Sequence, residues 1–170
     1  MKPVILFDWG NTLMVDTPNM SGKMCDWPKV EAVKGAHQTL QILSRSHRVY
    51  VATNAQDSVV DDITAAFKRV NLDSYIAGYF CYQNLGIGKG SRVFFDRILA
   101  QLNVAADQVA MVGDNLDNDI IPADEAGLNT YWLTTESQCQ GDSKRQAPHS
   151  TVRMTELSEL TSLLSPAELK

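Results

Sequence analysis

Four polar clusters in this chain each follow a short apolar run, and their residue types are those that hold oxyanions and hard cations. Asp8 comes directly after Pro3-Val4-Ile5-Leu6-Phe7, and Thr53-Asn54 follow the run Arg48 to Ala52. Gly88-Lys89-Gly90-Ser91 come shortly after Tyr79 to Tyr82, and Gly113-Asp114-Asn115-Leu116-Asp117-Asn118-Asp119 follow Val109 to Val112. A carboxylate can serve as a nucleophile or as an oxygen ligand to a divalent cation. A hydroxyl and an ammonium can hold anionic oxygens. Singly, each residue has a plainer use: Asp114 and Asp119 as turn or helix-capping residues, Thr53 as a strand end, Lys89 as a solvated loop lysine. Their joint position after four apolar runs is what points to one site.

The runs themselves are β-rich, with weaker ones at Thr130 to Leu133 and Thr151 to Arg153, and helical patterns lie between them. Val30, Val33, Ala36, Leu40 and Leu43 step at helical spacing, as do Val59, Ile63, Ala66 and Val70, and Val93, Phe94, Ile98 and Leu102. Strands alternating with helices predict an α/β fold with a parallel sheet. Asp114 to Asp119 lead into a short helix ending near Gly127, and Leu157 to Leu164 make the last one. Gln138 to Ser150 is polar and reads as a loop. In such a sheet, ligands gather at the carboxyl ends of the strands where the strand order reverses.

Composition narrows the rest. The chain has 170 residues, 44% of them apolar, enough for one domain with a real core. Its net charge of −5 and scattered Lys and Arg argue against nucleic acid as a primary partner. Cys25, Cys81 and Cys139 suit neither a disulfide framework nor a zinc pair, and read as free thiols in a reducing, cytoplasmic setting. No apolar stretch approaches the ~18 residues of a membrane span. His37, His47 and His149 lack the spacing of a metal or triad site.

The order and types of the four clusters resemble the haloacid dehalogenase (HAD) superfamily over roughly residues 4 to 133. Val112-Gly113-Asp114 through Asp119-Ile120, followed by Ala123, Ala126 and Gly127, carries the most specific part of the likeness. The resemblance implies a three-layer, Rossmann-like parallel sheet with helices on both faces. It implies a Mg²⁺-dependent hydrolase, a phosphatase acting through an aspartyl-phosphate on Asp8. Asp8, the Gly10 carbonyl and Asp114 are then metal ligands, with Asp119 a ligand or an orienting carboxylate. Thr53, Asn54 and Lys89 hold the substrate's phosphoryl oxygens, helped by backbone N–H groups after Asp8.

Two positions depart from the family pattern. Where its phosphatases carry a second Asp that protonates the leaving oxygen and activates water, this chain has Gly10. Loss of such a group costs ~10²–10⁴ in rate, which predicts weakened hydrolysis biased toward acyl or aryl phosphates. Gly90 stands where the family usually has Pro, and predicts a less rigidly aimed Lys89.

A short cap-type insert at about residues 14–30 replaces the substantial cap of larger relatives, within a single domain spanning 1–170. The site is therefore expected to be open, suited to a phosphorylated small molecule or macromolecule, with a second subunit also conceivable. Trp9, Met20, Met24 and Trp27 lie near its mouth, where packing of the insert is the plainer role. Asp16 and Asp26 are the insert acids that could stand in for the missing one, although loop carboxylates are usually solvated. The alternative is a catalytically weak phosphate-binding or protein-interaction module on the same scaffold.

Overall fold

A computed structural model describes residues 2–134 and 146–164. Six strands, β1 (Val4–Phe7), β2 (Arg48–Ala52), β3 (Gly78–Phe80), β4 (Val109–Gly113), β5 (Asn129–Leu133) and β6 (Val152–Met154), form one sheet in the order β3-β2-β1-β4-β5-β6. Every pairing is parallel. Strand order reverses between β1 and β4, so the crevice beyond their carboxyl ends is the expected ligand position.

Parallel strands covered on both faces read as unbroken apolar runs, and alternate residues feed two cores. Ile5 and Phe7 join Val49, Val51, Ala110 and Val112 on one face. There they meet Leu40 and Leu43 of α1 (Ala36–Leu43), Ile63 and Phe67 of α2 (Val60–Arg69), and Leu160, which begins a final helix at Leu160–Leu163. Val4 and Leu6 join Val109 and Met111 on the other face. The helices there are α4 (Arg92–Leu102), giving Phe94, Phe95 and Ile98, and α5 (Ile121–Glu125), giving Ala123; α3 (Tyr82–Leu85) precedes them in the chain. This is the expected three-layer α/β arrangement.

Three boundaries differ from expectation, each for a local reason. Val30 and Val33 are not helical, because Gly35 has φ +82° and a right-handed helix cannot run through it. That segment is extended instead, pairing with the insert through Val15 N–H to Glu31 O at 2.9 Å and Val33 N–H to Leu13 O at 2.9 Å. β3 ends at Phe80, since the Asn84 side chain accepts from the Cys81 N–H at 2.9 Å and turns Tyr82 into a helix start. The segment after β4 begins with a π-helical turn, Leu116–Ile120, before α5 takes over.

The insert folds as an extended arm with one 3₁₀ turn, Met24–Asp26. Trp9, Met24 and Trp27 are buried and Met20 is exposed, in keeping with packing as the main role of the first three. Arg69 at the end of α2 donates to the carbonyls of Cys25 at 3.0 Å and Trp27 at 2.5 Å, tying the arm to the sheet's helical layer. Cys25 and Cys81 are free thiols. Cys139 and the 138–145 part of the polar loop lie outside the described residues. No helix among the described residues is long and apolar enough to cross a membrane.

Candidate active site

The residues after β1, β2 and β4, and those of the Lys89 loop, converge on one polar cavity of 350 Å³. Asp8, Gly10, Thr53, Asn54, Lys89, Asp114 and Asp119 all line it. Every residue that the family resemblance makes a ligand or a catalytic or substrate-binding group is therefore brought together.

Lys89 is the hub. Its Nζ lies 2.5 Å from Asp8 Oδ1, 2.7 Å from Asp119 Oδ1 and 2.9 Å from the Ala52 carbonyl, and its side chain is almost wholly buried. Burial alone would lower its pKa, but the carboxylates of Asp119 and Asp8 outweigh that and raise it. Its backbone N–H donates to Asn54 Oδ1 at 2.9 Å. Asn54 thus holds the Lys89 loop with its carbonyl oxygen, leaving only its amide N–H groups for a bound anion.

Gly90 does not loosen this arrangement, contrary to expectation. Its φ is +121°, outside what proline can adopt, and a Cβ there would sit 3.0 Å from Asn118 Oδ1. The loop reaches Lys89's position by a different backbone path, and four contacts fix the lysine once there.

Thr53 is buried, and its Oγ1 accepts from the Ala55 N–H at 3.0 Å. With the oxygen so engaged, its O–H proton is directed to other acceptors, which suits a phosphoryl oxygen. Of the backbone N–H groups after Asp8, those of Asn11, Leu13 and Met14 bond within the Trp9–Met14 turn, to Met14 O, Trp9 O and Trp9 O respectively.

On the β4 side, helix capping falls to Asn115, whose side chain accepts from the N–H groups of Asp117 and Asn118. This frees Asp114 and Asp119 from the capping role that was their plainer alternative. Asp119 folds back from the π-turn so that its Oδ2 accepts from the Asn115 N–H at 3.0 Å. The fold-back needs Gly113, where a Cβ would come within 2.3 Å of Asp119 Oδ2.

Thr12 is a site residue that reasoning from the strand ends passed over. It is fully buried, with Oγ1 3.4 Å from Asp8 Oδ2 and 3.3 Å from Asp114 Oδ1, between the two carboxylates. Its place four residues after Asp8 was the available signal. His37 instead contacts Tyr75, and His47 closes the end of α1 beside Ser46, its pKa lowered by burial.

The carboxylates of Asp8, Asp114 and Asp119 offer oxygens within 4.8 Å of one another. Three carboxylates face one ammonium, and burial together with the surplus negative charge raises the pKa of two of them, Asp114 and Asp119. Burial, then the Asp8 charge, pushes Asp114 up to about 7. Burial also raises Asp119 to about 6, against the lowering pull of Lys89. Clustered oxygens with uncompensated charge form a donor set that fits a hard divalent cation.

Known proteins share this fold. The sequence model of the HAD-hydrolase-like family matches residues 86–160. A ribulose-1,5-bisphosphate 5-phosphatase of Halopiger xanaduensis is 30% identical over 142 residues, covering 79% of this chain and 58% of the relative. An uncharacterised protein of Listeria monocytogenes serotype 4b superposes with a TM-score of 0.83 at 21% identity, over 95% of this chain and 96% of that one. The HAD hydrolase YfnB of Bacillus subtilis, solved bound to magnesium, superposes at 0.74 with 14% identity, over 97% of this chain and 99% of that one. The chain is thus HAD-like in fold, and over residues 86–160 it matches the HAD-hydrolase-like family. It spans about half the length of the curated relatives it matches. Its curated relatives include phosphatases and nucleotidases. A larger cavity of 760 Å³ opens beyond Asn11 and Asp114 toward α1 and the ends of β5 and β6, but Asp8, Lys89 and Asp119 do not line it. Size does not decide where the chemistry is.

Proposed function

We propose that this protein is a Mg²⁺-dependent phosphatase in which Asp8 attacks the phosphorus of a phosphate ester and forms an aspartyl-phosphate. The observation that carries the reading is the three-carboxylate, one-lysine cluster at the strand-order reversal, with a hydroxyl and amide donors beside it. Asp8, Asp114 and the Gly10 carbonyl would hold the cation, with Asp119 at its side. Bound there, Mg²⁺ would offset the negative charge that otherwise sets nucleophile and phosphate against each other.

Each side chain has a stated task. Lys89 orients Asp8 and meets a phosphoryl oxygen as a point charge. Thr53 donates its hydroxyl proton to another, and Asn54 holds the Lys89 loop while its amide faces the cavity. Thr12 keeps Asp8 and Asp114 in register. In the attack, a lone pair of the Asp8 carboxylate forms the new P–O bond as the bond to the leaving oxygen breaks. Water then displaces Asp8 and releases inorganic phosphate.

The phosphatase relatives support a phosphate monoester as the substrate class, and an open site is compatible with either a small metabolite or a larger phosphorylated partner. A second reading, a weak phosphate-binding module, is favoured by one observation: Gly10 brings no acid to the nucleophile loop. A screen of aryl and alkyl phosphates with Mg²⁺ separates the two. Hydrolysis that vanishes without Mg²⁺ and in Asp8→Asn is the expected outcome; unaltered hydrolysis in that variant sinks the mechanism.

A further inference from the structure

Gly10 leaves the nucleophile loop without an acid, yet the space beside it is occupied. A Cβ at residue 10 would lie 3.4 Å from Asp16 Cβ and 3.6 Å from Asp16 Oδ2. The insert thus carries a carboxylate to the place a side chain on residue 10 would point.

Two adjoining cavities meet there. The 350 Å³ cavity contains the carboxylates and Lys89, and a second of 250 Å³ is bordered by Trp9, Met24 and Trp27. Gly10, Asp16, Thr53 and Ala55 border both, and among these four only Asp16 has an acidic side chain. A group that protonates a leaving oxygen must stand between the phosphoryl position and the leaving group, and Asp16 is at that junction.

The other acids are accounted for. Asp8 and Asp119 pair with Lys89, and Asp114 contacts Thr12. Asp57 borders only the second of the two cavities, and Asp26 borders neither. Asp16 accepts no hydrogen bond on its carboxylate among the described residues, while its backbone is fixed: its N–H donates to Asn11 Oδ1 at 3.0 Å. The preceding Val15 N–H is bound to Glu31. The carboxylate is thus placed by its backbone at the junction of the two cavities.

We propose that Asp16 is the catalytic acid and base of this site, an inference that rests on the phosphatase reading above. As Asp8 forms its bond to phosphorus, the P–O bond to the leaving group breaks, its electron pair stays on the leaving oxygen, and the Asp16 carboxyl proton passes to that oxygen. The Asp16 carboxylate then takes a proton from water as the water oxygen bonds to phosphorus. The P–O bond to Asp8 breaks, its electron pair returning to the Asp8 carboxylate. Inorganic phosphate leaves, and Asp16 is again protonated.

The test uses the full chain with Mg²⁺, p-nitrophenyl phosphate and β-glycerophosphate. Nitrophenolate leaves without a proton, whereas the glycerol oxygen needs one. Asp16→Asn should lose ~10²–10⁴ in β-glycerophosphate turnover. It should keep the initial nitrophenolate burst and accumulate the Asp8 adduct, because the second step lacks its base. Asp16→Asn combined with Gly10→Asp should regain part of the lost turnover, as the new carboxyl reaches the same space. Wild-type β-glycerophosphate turnover in Asp16→Asn, with Asp8→Asn inactive, overturns the role of Asp16 alone. Loss of the burst as well overturns it too, since that marks a structural contribution. A wild-type protein that neither forms the adduct nor releases phosphate overturns the phosphatase reading, and the role of Asp16 falls with it.

Discussion

Lys89 neutralises two carboxylates at once, Asp119 buried and Asp8 half-buried, so its removal leaves charge with no partner in a poorly solvated cavity. Breaking a buried pair from one side costs about 3–5 kcal/mol. Lys89→Met should therefore lower stability by that order in urea unfolding at neutral pH, and by less in acid, where the carboxylates protonate. Asp114 and Asp119 titrate above their ordinary 3.8, at about 7 and about 6. The folded metal-free chain thus keeps protons that the unfolded chain has released, and these two groups lower stability as pH rises through that window. Mg²⁺ competes for the same oxygens. Its stabilisation, read as a thermal shift, should be larger at pH 8 than at pH 5.5; an equal shift at both contradicts the assignment of Asp114 to the metal. The residue types of this cluster were readable in sequence because each follows an apolar run. The cap role of Asn115, the bridging hydroxyl of Thr12 and the loop-holding carbonyl of Asn54 were not, since each depends on a distance that only folding creates.

At the scale of elements, the turn after β4 does the most to shape the site. A π-helical turn brings Asp119 back over Gly113, so close that any Cβ on residue 113 must displace it. Gly113→Ala should cost about 1–3 kcal/mol, the range for forcing extra volume into a packed position. It should also weaken Mg²⁺ binding measured by calorimetry; unchanged affinity would mean that Asp119 does not depend on this fold-back. Strand positions were legible because parallel strands covered on both faces are continuous apolar runs. The start of α1 was not, because the apolar spacing of Val30 and Val33 fits a helix that Gly35 then forbids. Apolar periodicity reports which residues are buried, and an extended arm pressed on the sheet's helices can bury the same ones.

For the whole molecule, one sheet serves two cores, and β1 contributes to both: Phe7 to one face and Leu6 to the other. Both side chains are fully buried. Removing either should cost about 2–5 kcal/mol, and Leu6→Ala and Phe7→Ala should each move a single unfolding transition, because the two cores share their central strands. Two separable transitions would contradict the expectation of one domain. The α/β class and the convergence of the polar strand ends followed from the alternation of strand and helix patterns along the chain. The closeness of Asp16 to Gly10 did not, because the course of an insert between two strands has no periodicity to read.

The central claim is that Asp8 carries the phosphoryl group, and covalent labelling tests it most directly. After a single turnover with a phosphate ester labelled at phosphorus and quenched in acid, the peptide containing Asp8 should carry the label. The label should require Mg²⁺ and be absent from Asp8→Asn. Phosphate release at the wild-type rate from Asp8→Asn, or a label found on any other residue, would contradict the account.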